Sequence, residues 1–336
     1  MLTSLTLIAV TLAGQIGEAP DRLITPQGVE LANDGRIFVL FAALNGLGFS
    51  EETQRKGPPL AAPVFHPVRT QVREAMRKLD EAGKLTDLRK FFDANPASVE
   101  SYAAALLSQD LALEKSSGEP SAEAKKLGGV ISVVQKLGND PDLTKVFEDV
   151  LVLQRKHSKE LYDRLDKTFV AGKKHLAVAE LRPSLSLIVI PNPLDAHGAV
   201  RSVYVGDKLY LLVGPGLDTA NTAILEAALR STVYPSIKAA YANSPKLKKA
   251  WGDLKPFKSI SNRYSDGDAY AAETVAQILS FQIRGGAAGS PAEDDFVDQA
   301  TKEGLRWTRP LLLAIGNRGA EPIDASLTKA LPKATP

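Results

Sequence analysis

The sequence predicts an α+β fold that is predominantly helical. A helical N-terminal half precedes a half in which a small antiparallel sheet packs on a central helix. Three observations carry this. Apolar residues recur at three- and four-residue steps in most segments before residue 180, the spacing of amphipathic helices. Near Leu181 the texture changes to short β-rich runs bounded by Pro, Asn and Gly. Directly after those runs, Thr222 to Pro235 returns to helical spacing, with Ile224, Leu225, Ala228, Leu229 and Thr232 on one stripe.

In chain order, Met1 to Gly14 is an apolar run of the length of a signal-peptide core, although it lacks a basic start. It reads as a leader, with a buried strand as the other reading. Gly28 to Leu47 reads as the first helix, stopped by Gly46 and Gly48. A polar, Pro-containing link over 51–63 leads to Phe65-His66-Pro67. Val68–Ala82, Leu85–Ala94, Ser98–Leu113, Ala122–Leu137, Pro141–Val170 and Lys173–Glu180 carry helical spacing. Ser184–Ile190 reads as a strand ended by Pro191-Asn192-Pro193. Ala199–Val205 and Lys208–Val213 flank Gly206-Asp207 as a hairpin with a tight turn. The central helix follows, with Asp218 or Thr219 as its cap, and it continues past Pro235 to Tyr241. Asp266-Gly267-Asp268 opens a helix over Ala269–Ile283, and Ala292–Leu305 reads as one more. Leu311–Ile315 is a short strand or helix, and the Pro-containing C-terminus reads as frayed.

Composition removes several function classes. The 336 residues carry a formal charge of +2 with Lys and Arg spread along the chain, which argues against nucleic acid as a partner. There is no Cys, so disulfides, thiolate metal sites and a cysteine nucleophile are excluded. No segment approaches the twenty apolar residues of a membrane span. A phosphate-binding Gly-rich loop and the G-x-S-x-G elbow are absent.

The chemistry-bearing pattern lies on the central helix and the next one. Glu226 stands in Leu225-Glu226-Ala227-Ala228-Leu229, and Glu273 stands in the following helix. Strand, helix with a central Glu, then helix with another Glu: this order resembles the core of a zincin metallopeptidase of the gluzincin class. Val233-Tyr234-Pro235 and His66-Pro67 add a likeness to a group of exported bacterial gluzincin-like proteins. The resemblance implies that Leu209–Val213 is an edge strand that pairs with a bound peptide, and that Glu273 stands at the third metal-ligand position. It also implies that Leu225 and Leu229 occupy the two positions where H-E-x-x-H has its histidines. Leucine donates nothing to a metal. Two carboxylates are too few for a tight zinc site, and no two of His66, His157, His175 and His197 are three or four residues apart. His197 is the histidine nearest in sequence to the site.

Each residue also has a plain structural reading. Glu226 and Arg230, four apart, are an ordinary helical ion pair; Leu225 and Leu229 are core; Glu273 is a solvated helix charge; Tyr204 and Tyr210 are cross-strand packing. Together these readings give a leader at 1–20, a helical region at 21–180, a zincin-like region at 181–290 and a C-terminal helix and tail at 291–336. The function expected is a non-catalytic, zincin-like pseudopeptidase without cofactor or metal. It would bind a peptide or protein segment along the edge strand, with Glu226, Arg230, Glu273, Tyr210 and Leu212 lining the cleft. The alternatives are an active hydrolase with an unrecognised site and a helical interaction protein without peptidase ancestry. Export follows if the leader is a signal peptide, and a cytoplasmic location otherwise.

Overall fold

The computed structural model describes residues 22–48, 67–110, 116, 118–178, 181, 186–261, 264, 266–286, 289–316, 319 and 321–334. The expected leader, the link at 51–63 and His66 lie outside the described residues. The elements are β1 (Arg22–Ile24), β2 (Glu30–Ala32), α1 (Gly35–Gly46), α2 (Pro67–Glu81), α3 (Thr86–Ala94), α4 (Val99–Leu107), α5 (Ala122–Lys126), α6 (Gly129–Gly138) and α7 (Pro141–Leu176). Then come β3 (Ser186–Pro191), β4 (Val200–Val205), β5 (Lys208–Val213), α8 (Leu217–Ala242), α9 (Pro245–Leu254), α10 (Lys258–Ser261), α11 (Gly267–Ile283), α12 (Pro291–Lys302), α13 (Thr308–Gly316) and α14 (Ile323–Ala334). Helices dominate, as the periodicity predicts.

The sheet departs from expectation. It has five strands in the order β1-β2-β3-β5-β4, and it is mixed rather than antiparallel. Two hairpins, β1 with β2 and β4 with β5, are antiparallel. Between them β3 runs parallel to both β2 and β5. The N-terminal half is therefore not all helical, because it supplies β1 and β2. The expected helix from Gly28 begins only at Gly35. Its start is fixed by Asp34, whose Oδ1 accepts from the Arg36 backbone N–H at 3.0 Å, leaving Leu31 to pair with Val189. The hairpin turn is as predicted, with Gly206 at φ +59°.

The described C-terminal residues, up to Ala334, form a helix rather than a frayed end. Ile323, Leu327 and Leu331 of α14 are fully buried, one turn apart, and Leu311–Ile315 lies within helix α13. The central helix begins at Leu217, so Asp218 sits in its first turn, where a negative charge favours the helix dipole, rather than at the cap.

The chain folds as two compact units. The first holds the described residues up to Ile24, together with Val29–Tyr162 and Ser186–Ala220; the second holds Thr25–Gly28, Asp163–Leu185 and Asn221–Pro336. In the first unit, Phe38, Val39 and Leu40 of α1 join Ile188, Ile190, Val203, Tyr210 and Leu212 of the sheet in one core. Phe38 packs on Phe147 of α7 at 4.7 Å between ring centres. Two buried arginines pin the loops. Arg36 donates to Asp34 Oδ1 at 2.9 Å and to the Gln109 carbonyl at 2.6 Å. Arg201 of β4 grips Asp195 at 2.7 Å and reaches Glu100 of α4 at 3.1 Å.

In the second unit the core gathers round Tyr270 of α11, with the rings of Trp251, Tyr264 and Trp307 at 5.6, 5.3 and 4.9 Å. Its hydroxyl donates to the Gly304 carbonyl and accepts from the Arg306 N–H, so the buried phenol is satisfied in both roles. Among the described residues, no helix is long and apolar enough to cross a membrane.

Candidate functional site

Helix α8 is apolar on most of its surface: Ile224, Leu225, Ala227, Ala228, Leu229, Val233 and Ile237 are all buried. Glu226 and Arg230, one turn apart, are half-buried interruptions. Helix α11 is similarly apolar, and Glu273, Gln277, Ser280 and Arg284 follow one another along it at steps of four, three and four. That spacing puts all four on one stripe. The two stripes meet in the second unit.

The Arg230 guanidinium Nη1 contacts Glu273 Oε2 at 2.7 Å, and Gln277 Nε2 donates to Glu273 Oε1 at 3.3 Å. Glu273 is 9 % exposed, so it is not a solvated helix charge. Arg230 makes its close ion pair across to α11 rather than along its own helix to Glu226, which corrects the simple four-apart reading. Further along α8, the Tyr234 hydroxyl meets Asp268 Oδ2 at 3.2 Å.

Glu226 lies in the same cluster. Burial pushes its carboxyl up to about 7, and the charge of Glu273 pushes in the same direction. The nearby Ser280 hydroxyl, Arg284 and Arg230 oppose the rise and are outweighed. Ser280 is fully buried and close to this carboxyl, yet its Oγ is not in hydrogen-bond geometry with any group. A carboxyl with this balance is half protonated near neutral pH and can both give and take a proton there.

The residues do not fit a zinc ion. Leu225 and Leu229 are both 0 % exposed and contribute only packing. Gly172 of α7 makes room for that packing: a Cβ there would lie 3.2 Å from Leu181 and 3.9 Å from Leu225. Of the two carboxylates, Glu273 already faces a guanidinium, and burial disfavours the charged form of Glu226. A zinc site needs more nitrogen, thiolate or carboxylate donors than this stripe supplies. Among the described residues, no group of three or more His, Asp or Glu is arranged to hold a metal. His175 meets Gln282 at 3.0 Å, and His197 is an exposed loop residue of the first unit beside Gly216.

The structure brings together Glu226, Arg230 and Glu273, but not the other two predicted residues. Tyr210 and Leu212 are 6 % and 0 % exposed in the core of the first unit, in the same buried cluster as residues of α1. Their strand is not an edge. β5 is hydrogen-bonded to β3 on one side and β4 on the other, so a peptide cannot add to it without displacing a strand. The outer strands are β1 and β4. Sequence reasoning also missed Gln277, Ser280 and Arg284. Their signal was the polar stripe at heptad-like spacing through an otherwise apolar helix. The chain matches no family model, no curated protein and no solved structure.

Proposed function

We propose that this protein is a non-catalytic, zincin-like pseudopeptidase in which an arginine stands where a peptidase of that class has its metal. The observation that carries this reading is the 2.7 Å contact between Arg230 and Glu273. Glu273 is the carboxylate at the third ligand position of the resemblance, and its counter-charge comes from the protein's own side chain. Fully buried leucines at 225 and 229 support the same reading, since they favour a packed helix pair over an open ion site. With no metal to polarise a water, the Glu226 carboxyl has no activated nucleophile to deprotonate.

The retained role is binding of a peptide or protein segment. Strand addition at β5 is closed, so the strand that would take a partner is β4, the outer neighbour of β5, where Ser202 and Tyr204 are exposed. Elemental analysis of the purified full chain, together with a casein-hydrolysis assay with and without chelator, tests the proposal. The expected result is no stoichiometric zinc and no chelator-sensitive proteolysis; either one would overturn it. A second reading, an active hydrolase using Glu226 as its proton-transfer group, draws on the carboxyl's position near pH 7. Hydrolysis that survives chelator and is lost in Glu226→Gln would favour that reading instead.

A further inference from the structure

Within the second unit, helices α7, α11 and α13 bring their C-terminal ends to one cavity of about 460 Å³. Ala171, Lys174 and His175, three and four residues apart, line it from one face of the last turns of α7. Gln282 and Ile283 line it from the end of α11, and Ile315 from the end of α13. Ile315 is fully buried and Ile283 half-buried, whereas Ala171 and Lys174 are exposed, so the cavity has an apolar wall and reaches solvent. Its size and its few polar groups beside aliphatic side chains suit a small organic ligand.

Helix C-termini ordinarily gather negative potential, because their last carbonyls lack partners within the helix. Two of these three ends are capped by the backbone that follows. Ala177, at φ +54°, lets the Val178 N–H donate to the Lys173 carbonyl at 3.2 Å. Gly285, at φ +95°, lets the Gly286 N–H donate to the Phe281 carbonyl at 3.0 Å. The charge left to decide the ligand is that of the side chains. Among the described residues, the Lys174 ammonium has no ion-pair partner, and no Asp or Glu lines the cavity. Gln282 presents Oε1 to His175 Nε2 at 3.0 Å. That oxygen takes the imidazole N–H, and the group Gln282 has left is its amide nitrogen, which only donates. One positive charge and an N–H donor beside aliphatic side chains match an anion carried on an apolar body.

We propose that this cavity binds a small organic monocarboxylate, an aromatic or short aliphatic acid. The carboxylate pairs with Lys174 and accepts from the Gln282 amide, and the apolar body lies against Ile283 and Ile315. Glu226, Arg230 and Glu273 are not among the residues lining the cavity, so the proposal stands apart from the pseudopeptidase reading.

Benzoate and hexanoate are the probes, with benzamide and hexanamide as their neutral counterparts, in saturation-transfer NMR on the full chain. At least one acid should bind the wild type, and its amide should bind more weakly by about threefold or more. Lys174→Met keeps the aliphatic stem and removes the charge. It should weaken binding of that acid about three- to tenfold, a modest loss because the ammonium is exposed. Gln282→Glu keeps an oxygen for His175 but sets a carboxylate in the cavity, and it should weaken binding by about tenfold or more. Lys145→Met, at an exposed lysine of α7 in the first unit, should leave binding unchanged. Thermal melts verify that each variant is folded. No saturation transfer from either acid, equal affinity for acid and amide, or unchanged binding in the folded Lys174→Met and Gln282→Glu proteins would overturn the proposal. So would an equal loss in Lys145→Met and Lys174→Met, which would mark a general attraction to surface lysines.

Discussion

Replacing Glu226 with Gln should make the protein more stable at alkaline pH and flatten its stability profile. In the folded chain the carboxyl is pushed from 4.5 up to about 7, first by burial and then by Glu273. Below pH 4.5 it is protonated in both states and carries no penalty. Above that pH the unfolded chain ionises first, so each step upward favours unfolding until the folded group also ionises, near pH 7. At about 1.4 kcal/mol per pH unit, the interval from 4.5 to 7 is worth at most about 3 kcal/mol. Glutamine keeps the shape and removes the ionisation. At pH 8 Glu226→Gln should therefore unfold at higher denaturant or temperature, with a gain of about 2–3 kcal/mol; at pH 4.5 the two proteins should coincide. Denaturant titrations of both proteins from pH 4.5 to 8.5 make the comparison. Profiles that stay parallel across this range would refute the reasoning, since they would mean that Glu226 is hydrated and has no buried like-charged neighbour.

Three further outcomes follow from the same geometry. Arg230→Ala leaves Glu273 buried beside a lost guanidinium and should cost about 1–3 kcal/mol, while Arg230→Ala with Glu273→Gln should recover much of it; a double-mutant cycle with zero coupling would contradict the 2.7 Å pair. Tyr270→Phe removes a hydroxyl that bonds both Gly304 and Arg306 and should cost about 1–3 kcal/mol in thermal unfolding; an unchanged melt would mean that water replaces both bonds without loss. Asp34→Ala takes away the cap of α1 and strands Arg36 in the core, a loss of about 3–5 kcal/mol; a melt within experimental error of the wild type would show that the cap and pair carry no net stability.

Much of the candidate site was legible because its signals are local. Glu226 with Arg230 is a one-turn spacing that any amphipathic helix exposes to reading; Glu273 with Gln277 has the same spacing, yet nothing in the sequence alone marked Gln277 as its partner. What the spacing does not tell is the partner. Glu226 and Arg230 satisfy the rule for a pair along a helix, yet the guanidinium bonds Glu273, 43 residues away. Tyr210 and Leu212 failed for a related reason. Alternation marks a strand and its two faces, but it does not reveal how many neighbours that strand has.

The amino-acid sequence by itself determined the helical character, the β4–β5 hairpin with its Gly206 turn, and the position of the central helix. Each depends on periodicity or turn chemistry within a few residues. Tertiary structure alone decided that β3 lies between β2 and β5, which with β4 on the other side makes β5 an interior strand and recruits Arg22–Ile24 and Glu30–Ala32 into the sheet. It also decided that α14 is ordered by burial of Ile323, Leu327 and Leu331, and that the Glu226 carboxyl rises towards pH 7. Strand order, burial and electrostatic neighbours are set by contacts between segments far apart in the chain, and such contacts leave no period for a sequence to display.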